Sequence, residues 1–291
     1  MGSPQRELVI VRSAKPEDAQ ACGPICYSAF QTISQAHGFP PDFAAPEAPI
    51  GILRTMFSHP GFYCVVAESQ GRIVGSNCLD ERSAIAGVGP ITVDPQTQNH
   101  GVGRRLMEAV LDRARERGAA GVRLVQAAYH NRSLSLYASL GFEIREPLAC
   151  MQGQIRQKNV GGCKVRAAKA DDLRGCNSLA RQIHGFDRGR DLAESIEQGT
   201  AVVVERGGRI TGYASSLAFF GHGTAETNLD LQALLASVES FGGPGILIPA
   251  RNSAVFQWCL ANGLRVVQPM TLMSTGLYNE PAGAWFPSIL F

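Results

Sequence analysis

The sequence predicts an α/β (α+β) fold in two tandem domains, each a mixed, mostly antiparallel central sheet flanked by helices. Internal repetition is the first reason, because it marks a duplicated architecture before any element is assigned. VRSAKPEDAQAC (residues 11–22) and VRAAKADDLRGC (residues 165–176) agree at six of twelve positions. VVAESQGRIVG (residues 65–75) and VVVERGGRITG (residues 202–212) agree at seven of eleven. A looser echo pairs HNRSLSLYASLGF (residues 130–142) with ARNSAVFQWCLANGL (residues 250–264), and all three recur in the same order. The seam falls in the polar stretch QIRQKNVGG (residues 154–162), so the expected domains are residues 1–156 and 163–291. The second reason is periodicity, which switches repeatedly between strand-like and helix-like spacing.

In the first repeat LVIVR reads as a strand, and Pro16-Glu17-Asp18 suits the first turn of a helix. HGFPPDFAAPEAP is too Pro-rich for regular structure, and GILRTMFSHP reads as a second, short helix. GFYCVVAES and RIVGSNCLD, joined near SQG, predict a hairpin. AIAGVGPITVD predicts a third strand that stops at Asp94-Pro95. Leu106, Met107, Val110, Leu111 and Ala114 fall on one helical face, with Gly118 as the stop. GVRLVQAAY, RSLSLYASL and FEIREPLACMQ then predict strand, helix and strand.

Composition excludes several classes. Hydrophobic residues are 45% and charged ones 18%, an ordinary globular balance, and a formal charge of +2 gives no footing for nucleic acid. No run is apolar for long enough to span a membrane. The Met-Gly start is not an acylation signal, since Arg6 stands where Ser or Thr is needed. The eight cysteines show no CxxC pair and no metal-type spacing, so we expect reduced, structural thiols, no metal and a cytoplasmic protein.

The chemistry concentrates in QNHGVGRRL (residues 98–106), where a strand enters a Gly-rich turn that opens a helix. The first N–H groups of a helix lack intrahelical partners and carry the positive end of the dipole, so such a turn holds anions. Gly101 and Gly103 let backbone approach a phosphate, and Arg104 and Arg105 add charge. A dinucleotide fingerprint fails for want of a third glycine, and a P-loop for want of GK[ST].

ITVDPQTQNHGVGRRLMEAVLDRARERG resembles the acetyl-CoA motif of the GNAT N-acetyltransferase superfamily, with Gln98, Gly101 and Gly103 as its signature. NRSLSLYASLGF is similar to that superfamily's second motif, with Asn131, Tyr137, Gly141 and Phe142 in order. The resemblance covers residues 7–155. It implies a pyrophosphate on the backbone of His100, Gly101, Val102, Gly103, Arg104 and Arg105, with Gln98 and Asn99 in the same loop. It implies pantetheine along Ile91, Thr92 and Val93, a carbonyl polarised by an N–H near Val93, and Tyr137 as proton donor to the departing sulfur. The alternative for Tyr137 is packing beneath Gly141-Phe142, and Asn131 either bonds pantetheine or caps its helix. Asp80, Glu81 and His37 are candidates for the base, beside deprotonation through water. Phe30, His37 and Phe43 fall in the segment expected to meet the acceptor.

The second repeat reads GTAETNLDLQALLASV at the place of the loop. It has neither the glycines nor the arginines, Asp230 would repel phosphate, and Trp258 and Cys259 lie where Tyr137 would be. The expectation is therefore an active first domain and a degenerate second one. The implied activity is acetyl transfer to the primary amine of a small metabolite or amino-acid-like acceptor. Alternatives are a protein or peptide amine, or an inactive acyl-CoA-binding sensor or scaffold. Of partners, a small-molecule amine is expected and a homodimer stays open. The apolar AWFPSILF should dock against a domain or a partner.

Overall fold

The computed structural model describes residues 9–98 and 100–291. The chain forms two compact units, one running up to Glu81 and including Gly87–Ala119, the other comprising Arg82–Ala86 and Ala120–Phe291.

The first unit opens with β1 (Val9–Ser13), a short 3-10 turn at Pro16–Asp18, α1 (Ala19–Ala36) and α2 (Ala48–Ser58). β2 (Phe62–Ser69) and β3 (Arg72–Asp80) form the predicted antiparallel hairpin, and β1 pairs antiparallel with β2 on its other side. The hairpin loop is Gln70-Gly71, both at positive φ, a two-residue turn whose twist matches its strands. The third predicted strand divides into β4 (Ile85–Val88) and β5 (Thr92–Val93). Leu79 faces Val88, but Ser76 faces Thr92, so the second strand spends one residue more than β3 over the same stretch. Gly89-Pro90 makes this bulge: proline has no N–H for the ladder, and Gly89 sits at φ +141. α3 (Val102–Glu116) follows, burying Leu106, Met107, Val110, Leu111 and Ala114. Gly118 N–H to Arg115 and Ala119 N–H to Ala114 close its C-terminus in the double bond of a Schellman cap.

The second unit contains β6 (Gly121–Ala127), α4 (Asn131–Ser139) and β7 (Glu143–Gln152), then the second repeat: β8 (Lys164–Ala167), α5 (Leu173–His184), α6 (Gly189–Glu197), β9 (Val202–Arg206), β10 (Arg209–Ala214), β11 (Gly223–Ala225), α7 (Asn228–Ala236), β12 (Ile246–Pro249), α8 (Ser253–Ala261), β13 (Arg265–Gly276) and β14 (Ala284–Phe286). One antiparallel sheet runs β14-β11-β10-β9-β8. The other exchanges strands between repeats. β13 lies between β6 and β7, and β7 also pairs with β12. The counterparts β7 and β13 thus lie side by side, each also paired with the other repeat's preceding strand, β12 and β6.

The duplication holds at the level of atoms. In the first repeat Arg12 grips Asp18 at 2.6 Å and Glu68 at 2.6 Å; in the second Arg166 grips Asp172 at 2.6 Å and Glu205 at 2.7 Å. Both repeats join the following hairpin through two residues at positive φ, Gln70-Gly71 and Gly207-Gly208. The apolar tail packs inside the second unit, with Trp285, Phe286 and Phe291 buried. None of the eight cysteines forms a disulfide, and seven of them are buried.

Candidate active site

Gly101 is the residue that shapes the loop. It caps α3 from the left-handed region at φ +80 and has no side chain to satisfy the helix's first donors. The first helical bond there runs from Arg105 N to Gly101 O at 3.2 Å, so the N–H groups of Val102, Gly103 and Arg104 precede the helical ladder. A Cβ built on Gly101 meets nothing within 4 Å, so the space before these donors is open. The two arginines differ. Arg105 donates to Val9 O at 2.8 Å and so ties α3 to β1, while Arg104 lies exposed with Glu108 at 3.9 Å. His100 is exposed with its Nδ1 3.3 Å from Thr97 O, Gln98 donates to Val93 O at 3.2 Å, and Asn99 lies outside the described residues.

Ile91, Thr92 and Val93 sit at the bulge, with Thr92 and Val93 paired to Ser76 and Gly75. Sequence reasoning passed over Asp94. It is 8% exposed, accepts from Gln96 N at 3.0 Å and from Arg72 at 2.8 Å, and thereby fixes the turn from β5 into the loop. The Gly89-Pro90 dipeptide was the available signal for the bulge.

The other candidates stand in varied surroundings. Tyr137 is buried on α4, tilted against Phe142 at 6.2 Å, and burial pushes its phenol up to about 12. The cap of α4 is His130, whose Nδ1 accepts from Ser133 N at 3.1 Å; Asn131 is the next residue and exposed, which corrects the capping alternative for it. Glu81 is engaged by Arg113, with Nε at 2.8 Å and Nη2 at 3.3 Å, and that guanidinium lies 5.1 Å from the Tyr63 ring centre. Asp80 is half-buried at the end of β3. His37 is exposed and close to Ile33 O at 3.0 Å. Phe30 and Phe43 meet edge to face at 5.7 Å and pack on the Cys22–Leu53–Val66 core.

In the second repeat the corresponding helix start is filled from within. Thr227 caps α7, and the carboxylate of Asp230, fully buried, takes Thr211 at 2.6 Å, Thr227 at 2.5 Å and Arg206 at 2.9 Å. Where Tyr137 O accepts from Phe142 N, Cys259 O accepts from Leu264 N, which identifies Cys259 as the counterpart of Tyr137.

Comparison with known proteins agrees with this geometry. Residues 29–142 match the model of the Acetyltransferase (GNAT) family. A putative acetyltransferase from Pyrococcus horikoshii is similar with a TM-score of 0.70 at 17% identity, over 98% of this chain and 96% of that one. A GCN5-related N-acetyltransferase from Sphaerobacter thermophilus gives 0.61 at 17% identity, over 96% and 98%. A tandem GNAT protein from the clavulanic acid biosynthesis pathway gives 0.54 at 13% identity, over 92% and 98%. No curated protein sequence matches the chain significantly. The fold is that of a tandem GNAT protein. Residues 29–142 carry the match to the GNAT acetyltransferases, a family whose cofactor is acetyl-CoA and whose fold supports acetyl transfer. The open, uncapped start of α3 fits the phosphates of that cofactor.

Proposed function

We propose that this protein is an N-acetyltransferase that carries the acetyl group of acetyl-CoA to the primary amine of a small metabolite or amino-acid-like acceptor. The observation that carries this reading is the start of α3, where three donors precede the helical ladder behind an open, left-handed Gly101. When bound, acetyl-CoA supplies the acetyl group as an activated thioester. The N–H groups of Val102, Gly103 and Arg104 hold phosphate oxygens, with Arg104 adding charge from the exposed face. The strand at Ile91–Val93 pairs with β3 along one edge, and the backbone of its other edge would meet the pantetheine arm and offer an N–H to the carbonyl. Tyr137, kept protonated by burial, serves as the proton donor to the departing sulfur. Glu81 is committed to Arg113, so the amine proton leaves through water or Asp80.

Residues 1–156 serve as the catalytic domain in this reading and residues 163–291 as its degenerate partner. The test is release of free CoA from acetyl-CoA across a panel of small amines and peptides. Turnover on small amines is expected. Turnover confined to peptides would move the acceptor to a protein amine, and tight binding without turnover on any amine would make the protein a sensor.

A further inference from the structure

Arg123, on β6, is 1% exposed, and its Nε, Nη1 and Nη2 have no hydrogen-bond partner among the described residues. The guanidinium faces rings instead, 4.2 Å from the centre of Phe291, 4.9 Å from Tyr278 and 5.1 Å from Phe186. Ring faces attract a cation, but they leave its planar fork of N–H donors unmet. Arg188 Nε, His184 Nδ1, His222 Nε2 and the Tyr278 hydroxyl nearby are likewise buried and unsatisfied. Beside Arg123, His184, Phe186, Arg188, His222, Trp285 and Phe291 line a narrow pocket that is partly open to solvent.

Two arginines beside this pocket are ion-paired. Arg188 pairs with Asp191 at 2.9 Å, and Arg82 pairs with Asp191 at 3.2 Å and Glu194 at 2.8 Å. The guanidinium of Arg123 has no carboxylate partner among the described residues. Burial holds His184 far down, to about 3, and holds His222 well below its ordinary value, so both rings are neutral at pH 7. Burial also lowers Arg123, to about 9, which still leaves it charged.

Phe291, one wall of this pocket and the ring nearest Arg123, shows what the place takes. The Phe291 ring lies 4.6 Å from the Arg188 guanidinium and tilts on Phe186 at 6.1 Å, while its main-chain oxygen accepts from Arg188 Nη2 at 2.8 Å. An aromatic ring and an oxygen acceptor are thus already bound. We propose that this pocket binds a small carboxylate carrying an aromatic body, and that residues 289–291 occupy it in the ligand's absence. The ligand's ring replaces that of Phe291 against Phe186 and Trp285. Its carboxylate supplies the anion that Arg123 lacks, in the bidentate geometry a guanidinium favours. Inorganic phosphate has no apolar body for these rings, so an aryl carboxylate is the better match. None of these residues belongs to the acetyl-CoA machinery.

The probe is 3-phenylpropionate, with 3-phenylpropionamide as its uncharged twin, titrated by calorimetry into the full chain and into a variant lacking residues 289–291. The variant is expected to bind the carboxylate at least tenfold more tightly than the full chain does, and at least tenfold more tightly than it binds the amide. Arg123→Met in the same background should erase the preference for carboxylate over amide. It should also melt no lower than its parent, because an uncompensated buried charge has gone. Should the shortened chain fail to fold, as judged by circular dichroism, Phe291→Ala takes its place. Equal affinity for carboxylate and amide, absence of binding to the folded variant, or a preference that survives Arg123→Met would overturn the site. A large drop in melting temperature on Arg123→Met would also overturn it, by making Arg123 a structural cation held by its rings.

Discussion

The role proposed for Tyr137 depends on a hydroxyl whose proton stays in place. Burial raises the phenol to about 12, against a hydrogen bond with Ser133 that lowers it, so the group is protonated at neutral pH, as the proposed proton donor must be. Tyr137→Phe is predicted to lower kcat at least tenfold while leaving the Kd for acetyl-CoA unchanged, as read by CoA release and calorimetry; an unchanged kcat removes Tyr137 from the mechanism. Glu81 makes the opposite case. Its carboxylate is bound by Arg113, which is 31% exposed at its side chain, so Glu81→Gln should cost about 0.5–1 kcal/mol of stability and leave the pH–rate profile intact. A tenfold loss of rate would return Glu81 to the role of base. These roles could be drawn from sequence only as alternatives, because whether a carboxylate is solvated or held by an arginine 32 positions away depends on packing.

The elements explain which parts of the account were legible. The buried face of α3 was readable because its periodicity is local, and Leu106 through Ala114 fall inside as spaced. The division of one predicted strand into β4 and β5 was signalled by Gly89-Pro90, but the one-residue slip appears only in the pairing with β3. The strand exchange was not readable. β7 and β13 both read as strands, yet nothing in either states that they neighbour each other. The helix starts carry the functional contrast: α3 is left open by Gly101, while α7 is closed by Thr227 and Asp230. Burial works against the Asp230 carboxylate, but Arg206, Thr211 and Thr227 more than offset it and hold its pKa below the usual carboxylate range. Asp230→Ala should therefore destabilise the protein by about 2–3 kcal/mol in urea melts, since it leaves two threonine hydroxyls and an arginine without their acceptor. The same cause gives a pH dependence whose sign is fixed. The carboxylate binds a proton more readily unfolded than folded, so its contribution is complete above about pH 4 and is lost as pH falls through the lower folded value.

Over the whole molecule the duplication kept its scaffold and changed its chemistry. The arginine-centred ion clusters recur in both repeats, whereas the helix start left open by a glycine is found in the first and is capped by Thr227 in the second. Two buried histidines in the second unit set the molecule's response to mild acid. His184 and His222 are depressed by burial and by neighbouring arginines, so the unfolded chain takes up their protons first as pH falls below about 6.5. Stability is thus predicted to be full above pH 6.5 and to fall between pH 6.5 and 5 by up to about 1.4 kcal/mol per pH unit for each histidine. Denaturant melts across that range check this, and a flat profile would contradict it. The strand exchange has its own consequence. Residues 1–156 expressed alone keep β6 and β7 but lose the β13 that pairs with both, so this fragment should aggregate or stay unfolded in circular dichroism. The most direct test of the central claim is the stoichiometry of acetyl-CoA binding by calorimetry, in the native chain and in Gly101→Val. A β-branched residue at φ +80 is strained and puts its side chain into the open space before the donors of α3. We predict one acetyl-CoA per native chain and no measurable binding to a Gly101→Val chain that retains its circular dichroism spectrum. Two per chain, or native affinity in Gly101→Val, would contradict the account.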